Sequence, residues 1–119
     1  MPIRHVLEFI KAEPENKTAE RALDNVYQNT SVRPILCIVD LGFTVNDPTN
    51  HTAAYAAINS VSSPLYSQTQ IDYDNGVLNA GDFAQRLVFM VPSEWYYQVM
   101  DACFSTNTVA VISWWEVTL

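Results

Sequence analysis

The chain is poor in glycine and in charge. Only 3 of its 119 residues are glycine and 16% are charged, against about 25% charged in an average globular protein. With so few glycines there is no phosphate-binding loop, no dinucleotide-binding turn and no Gly-x-Ser-x-Gly elbow, so those nucleotide and hydrolase sites are excluded. Because 49% of the residues are hydrophobic, the chain can bury a core without disulfides or a metal. We therefore expect a folded protein that is not an enzyme and uses no cofactor.

Basic residues are scarce and unevenly distributed. Six Lys and Arg stand against thirteen Asp and Glu, which gives a net charge of −7, and only acids follow Arg86. Nucleic acids and anionic membrane surfaces both attract clustered positive charge, so we expect neither as a partner. Five of the six basic residues lie in the first 33 positions. This asymmetry predicts an N-terminal arm over residues 1–20 and a globular body over residues 21–119.

Few residues are available for metal or thiol chemistry. The chain has two cysteines, Cys37 and Cys103, and two histidines, His5 and His51, at spacings that are not typical of metal ligands. Each cysteine lies among apolar neighbours, which is typical of a buried thiol. A disulfide between two strands is the alternative. We predict no metal site and leave the pairing of the cysteines open.

Short strands are the main signal in the sequence. Apolar or alternating runs separated by turn residues predict strands at 22–28, 33–43, 52–60, 68–73, 84–91, 95–100 and 108–117. About seven or eight short strands at this spacing predict an all-β fold, an antiparallel β-sandwich of jelly-roll or immunoglobulin-like type. The polar segment around Pro14 predicts a hinge between the arm and the sandwich.

Two groups of residues are candidates for binding a partner. The arm is too short to form its own core, so its apolar side chains need another surface: Ile3, Val6, Leu7, Phe9 and Ile10. The second group is aromatic, and we select Trp95, Tyr96 and Trp114 as exposed candidates. Successive strand residues face opposite sides, so one of Trp114 and Trp115 lies in the core and the other faces outward. An outward Trp suits a subunit interface, surface packing or the stacking of a sugar.

Three short motifs follow one another in a characteristic order. Residues 27–34 read Tyr-Gln-Asn-Thr-Ser-Val-Arg-Pro, residues 89–99 contain an apolar strand, a proline and an aromatic cluster ending in Tyr-Gln-Val, and residues 114–116 read Trp-Trp-Glu. In this order they resemble the small β-sandwich domains of virion proteins from tailed bacteriophages, over about residues 26–117. The chain departs from that pattern where Val32 replaces a glycine and where Ser93-Glu94 replaces Pro-Gly, so both turns are expected to differ.

The resemblance implies a structural role in a virion. It implies a capsid decoration (cement) protein that binds and stabilises the assembled shell, located in the virion after synthesis in the host cytoplasm. The implied partners are the major capsid protein or other virion proteins, and a homo-oligomer, with a trimer favoured. A tail or fibre component and a carbohydrate-binding β-sandwich module are the alternatives.

Overall fold

The structure, a computed structural model, describes residues 13–63, 65–73 and 80–119, and for residues 67–73 it describes the backbone alone. The predicted partner-binding residues of the arm, Ile3 to Ile10, lie outside the described residues. Eight strands form: β1 (Pro14–Asn16), β2 (Tyr27–Gln28), β3 (Ile35–Val45), β4 (Thr52–Asn59), β5 (Tyr66–Tyr73), β6 (Gly81–Val91), β7 (Tyr96–Asp101) and β8 (Thr108–Thr118). A 3-10 turn, Thr18–Glu20, follows β1.

The strands form two four-stranded antiparallel sheets. The first sheet has the order β1-β8-β3-β6 and the second has the order β2-β7-β4-β5. Strand β1 therefore pairs with β8, β2 with β7, β3 with β6 and β4 with β5, as if one long hairpin were rolled up into a sandwich. This is the strand order of an eight-stranded jelly roll, which confirms the predicted sandwich class. Among the described residues, no helix is long and apolar enough to cross a membrane.

Strict alternation along β3 explains how the sheets pack. Its eleven residues are buried and half-buried in turn, because successive side chains of a strand point to opposite faces. Val39, Leu41 and Phe43 are at most 1% exposed. They contact inward residues of the second sheet, including Ala56 and Val99. The strands predicted at 33–43 and 52–60 are thus the central strands β3 and β4, and the core lies between them.

The structure differs from the predicted hinge around Pro14. Residues 14–16 pair with Val117 to Trp115 of β8, and the backbone N–H of Lys17 donates to the carbonyl of Trp114 at 2.7 Å. The segment is therefore an edge strand of the first sheet, a position that tolerates proline because the outer side of an edge strand has no partner for an N–H. Residues 14–20, predicted as part of the arm, belong to the sandwich.

Both cysteines are free thiols. Cys37 is fully buried on the inner side of β3, and the half-buried Cys103 donates a weak hydrogen bond to the carbonyl of Ala53 at 3.5 Å. Burial raises the pKa of both thiols, that of Cys103 to about 11. Because the thiolate is the reactive form, we expect both cysteines to react slowly at neutral pH.

The carboxylate of Glu116 is buried between the sheets and receives hydrogen bonds from three side chains. Arg21 donates from Nε and Nη2 at 3.0 and 3.2 Å. The Tyr97 hydroxyl and the Trp114 indole N–H donate at 2.7 and 3.0 Å. The guanidinium of Arg21 also lies 4.5 Å from the ring centroid of Tyr27. Burial and the hydrogen bond to Glu116 raise the pKa of Tyr97, which keeps its hydroxyl protonated as a donor.

Replacing Arg21 by Ala should strongly destabilise the fold. The substitution leaves the Glu116 carboxylate buried without its counter-ion, and a broken buried pair costs about 3–5 kcal/mol. Arg86→Ala is the matched control, because Arg86 makes a similar bidentate ion pair with Asp40. The side chain of Arg86 is 61% exposed, and exposed ion pairs contribute little to stability. Urea unfolding measures both variants. Equal losses of stability would contradict the role assigned to Arg21.

Candidate docking surface on the first sheet

The outer face of the first sheet carries a continuous group of apolar side chains. They occupy two neighbouring cross-strand rows over β6, β3 and β8: Met90, Leu36 and Val117 in one row, and Val88, Ile38 and Trp115 in the next. We call these six residues the outer apolar patch. Met90, Val88 and Trp115 are 49%, 47% and 37% exposed. Contiguous apolar surface of this kind is typical of sites where a protein binds a partner.

The charges that border the outer apolar patch neutralise one another. In the next row, Asp40 lies opposite Arg86 on one side and Ser113 on the other. Arg86 donates to both carboxylate oxygens of Asp40 at 2.7 and 3.2 Å, and the Ser113 hydroxyl adds a third hydrogen bond at 3.1 Å. The hydrogen bond from Arg86 lowers the pKa of Asp40. The border of the patch at this row is thus neutral at physiological pH, although the exposed Asp82 lies two rows further along the same face, opposite Thr44, and residues 13–119 hold twelve acids and four bases.

Small residues flank the ion pair on the side away from the patch. Gly42 of β3 lies between Ala84 and Ala110 in register, and Ile112, 57% exposed, lies over it. A Cβ atom on Gly42 would be only 3.3 Å from Cδ1 of Ile112, so glycine allows this close approach. Shallow depressions of about 320 and 290 Å³ border Ile112, and the charged Asp40, Arg86 and Asp82 line them together with apolar residues.

A β-bulge in β8 sets the direction of its side chains. The register between β3 and β8 shifts between Asp40 and Leu41: Ser113 lies opposite Asp40, and Val111 lies opposite Leu41. Ile112 is therefore an extra residue with no partner on β3. A bulge of this kind adds one residue to a strand and reverses the alternation of the side chains beyond it.

The bulge decides which tryptophan belongs to the core. If the alternation that buries Val109 continued without an extra residue, Trp115 would face inward. Beyond the bulge it is Trp114, 0% exposed, and Glu116, 7% exposed, that face inward. The prediction of Trp114 as an exposed partner-binding residue is therefore wrong, and Trp115 is the outward tryptophan that joins the patch.

The other two predicted aromatic residues lie away from the patch. Trp95 precedes β7 and packs, partly buried, against the core. Tyr96, half-buried, begins β7 in the second sheet. Sequence reasoning missed Val88 and Met90 because the continuous apolar run of β6 is typical of a strand buried on both faces. The alternation of buried and exposed residues from 87 to 91 arises because only the inner face of β6 packs against the second sheet.

A polar cavity of about 250 Å³ lies where β1, β2 and β8 meet. Its charged side chains already have partners: Arg21 pairs with Glu116, and Lys17 pairs with Glu15 and Glu20. Across the described residues, no buried side-chain nitrogen or oxygen lacks a hydrogen bond. The same part of the chain contains no group of three His, Cys, Asp or Glu that could hold a metal ion. The charged and buried polar groups of the cavity are thus satisfied within the protein, and we take the outer apolar patch as the candidate site.

Comparison with solved structures gives similarity to viral chains. A chain from the structure of infectious bursal disease virus, Gt strain, aligns over 92% of this chain with a TM-score of 0.43 and 9% identity. A chain from the Gx strain aligns over 92% with a TM-score of 0.41 and 10% identity. This chain spans about a third of the length of each of them. No family model and no curated protein matches the chain.

The same substitution should reduce stability strongly at one position of β6 and very little at its neighbour. Leu87 is 1% exposed and faces the core, whereas Val88 is 47% exposed and faces outward. Leu87→Asp buries an unpaired carboxylate, which costs several kcal/mol, a large part of a domain's total stability. Val88→Asp should change stability by only about 0.5 kcal/mol, as is usual at surface sites. Circular dichroism with urea unfolding distinguishes the two variants, and unfolding of Val88→Asp would show that the patch is part of the core.

Proposed function

We propose that the protein is a structural component of a virus particle, and more specifically a capsid decoration protein of a tailed bacteriophage. The observation that carries this proposal is the outer apolar patch, a neutral apolar face on an acidic body. Decoration proteins act by burying surface between subunits, and they need such a face rather than a catalytic centre. A protein that binds only the assembled shell stabilises it by mass action, because the free subunits gain nothing from the contact.

The strand order supports this proposal at the level of the fold. Eight-stranded jelly rolls form viral capsid domains, but also lectin domains and cupins, so the fold alone does not assign the function. The motifs that resemble phage virion domains fall on β2, the end of β6, β7 and β8. These elements come from both sheets, so the resemblance extends over the whole sandwich rather than over one hairpin.

The distribution of charge determines which face can approach another subunit. Copies that each carry a charge of −7 repel one another, and salt screens this repulsion over about 8–10 Å. The outer apolar patch is bordered by the neutral Asp40–Arg86 pair, so contact there brings no unpaired acids together. Each Å² of apolar surface removed from water there contributes about 25 cal/mol. We expect a homo-oligomer, with a trimer favoured, bound to the major capsid protein.

The alternative functions, a tail or fibre component and a carbohydrate-binding module, would use Trp115 differently. A tail or fibre component would bury the patch in the same way, within a different part of the particle. A carbohydrate-binding module would stack a sugar on the indole and hydrogen-bond its hydroxyls. The register neighbours of Trp115 are the apolar Ile38 and the single amide side chain of Asn16, a setting that favours contact with a protein surface.

Co-sedimentation with empty shells assembled from the same virus's major capsid protein tests the proposal. The wild-type protein should pellet with the shells and raise their melting temperature. Val88→Asp should fail to pellet, because a charge in the patch would disrupt the contacts between subunits on which shell binding depends. Val61→Asp is the matched control, since Val61 is 52% exposed in the connection between β4 and β5, and it should pellet like the wild type.

Two results would contradict the decoration role. Wild-type protein that stays in the supernatant at micromolar concentration would exclude shell binding. Saturable binding to a glycan array, abolished by Trp115→Ala, would identify a carbohydrate-binding module instead.

A further inference from the structure

We infer that the outer apolar patch of one copy binds the first twelve residues of a second copy, so that the chains are joined by exchanged N-terminal segments. We call residues 1–12 the leading segment. This inference rests on the proposed role of the patch as a docking surface, and it names the occupant of that surface. The occupant is a second copy of this chain, so the assembled oligomer, and not an open patch, would meet the shell.

The leading segment is complementary to the patch in composition and to the body of the protein in charge. Besides Met1, five of its residues are large and apolar, and they need an apolar acceptor: Ile3, Val6, Leu7, Phe9 and Ile10. Its charged residues are Arg4, Lys11 and Glu8, an excess of one positive charge. Residues 13–119 hold eight more acids than bases, so the field of the body attracts the leading segment. The neutral patch adds no repulsion to this attraction.

The direction of β1 favours a second copy over the chain's own patch. Pro14 lies opposite Val117 and Asn16 lies opposite Trp115, so β1 begins in the outermost row of the patch, near the C-terminal end of β8, and only a reversal of the chain before it could cover the same patch. Proline restricts the preceding Glu13 to an extended backbone. Residues 3–13 contain no Gly, Pro, Asn, Asp or Ser, the residues that dominate turns. A reversal onto the same sheet is therefore disfavoured.

The leading segment is long enough to cover a neighbouring patch. Twelve residues reach at most about 40 Å when extended. The patch spans three strands, which are spaced about 4.8 Å apart. Each copy would donate a segment and accept one. Such head-to-tail contacts close into a ring when the rotation permits, which agrees with the favoured trimer.

A mixing experiment with two variants tests the inference directly. The first variant lacks residues 2–12 but keeps all eight strands and an intact patch. The second is Val88→Asp, with an intact leading segment and a charged patch. Light scattering should show that the wild type and the Val61→Asp control are oligomers and that each variant alone is a monomer. When the two variants are mixed, the mass should double, because the segment of the second can still bind the patch of the first.

Each other outcome would overturn the inference. A deletion variant that still self-associates would show that the bodies contact each other directly. If both Val88→Asp and Met90→Asp remain oligomeric, the leading segment binds somewhere other than the patch. A monomeric wild type, or two monomeric variants that form no complex, would exclude exchange. Circular dichroism verifies that each variant is folded. No shells are used, so these failures are separate from a failure of shell binding.

Discussion

The buried carboxylate of Glu116 constrains much of this molecule. An ionised side chain between two sheets is tolerated only where its oxygens are fully hydrogen-bonded, and Arg21, Tyr97 and Trp114 meet this requirement. The three donors come from the segment before β2, from β7 and from β8, so a single anion joins both sheets and the N-terminal part of the sandwich. Because Glu116 must face inward, Trp115 must face outward.

The bulge at Ile112 reconciles this constraint with the rest of β8. The first half of the strand places Val109 in the core, and the second half places Trp114 and Glu116 there; one extra residue makes both possible. That residue lies over Gly42 and adds to the apolar outer face. The feature that completes the core therefore also shapes the proposed docking surface, and a change in the register of β8 would disturb both.

Alternation and turn residues were enough to predict the sandwich, but not its edges. The apolar run of β3 predicts a central strand because its alternation is long and regular. Residues 14–16 gave no such signal, since three polar or proline residues become a strand only when β8 is beside them. The exposed face of β6 was hidden for the opposite reason, because Val88 and Met90 interrupt no apolar pattern. Only the inward orientation of Glu116 could have shown that Trp114, and not Trp115, is buried. That orientation depends on the hydrogen bond from Arg21, 95 positions away in the sequence.

The central claim is that the outer apolar patch is covered when the protein is assembled. The rate of reaction of a Val88→Cys thiol with a small maleimide measures this most directly, because burial keeps Cys37 and Cys103 protonated and slow to react. The account predicts that the new thiol is protected in the assembled full-length chain and reacts rapidly when residues 2–12 are deleted. Equal, rapid reaction in both proteins would mean that the patch remains open to solvent, and would contradict the account.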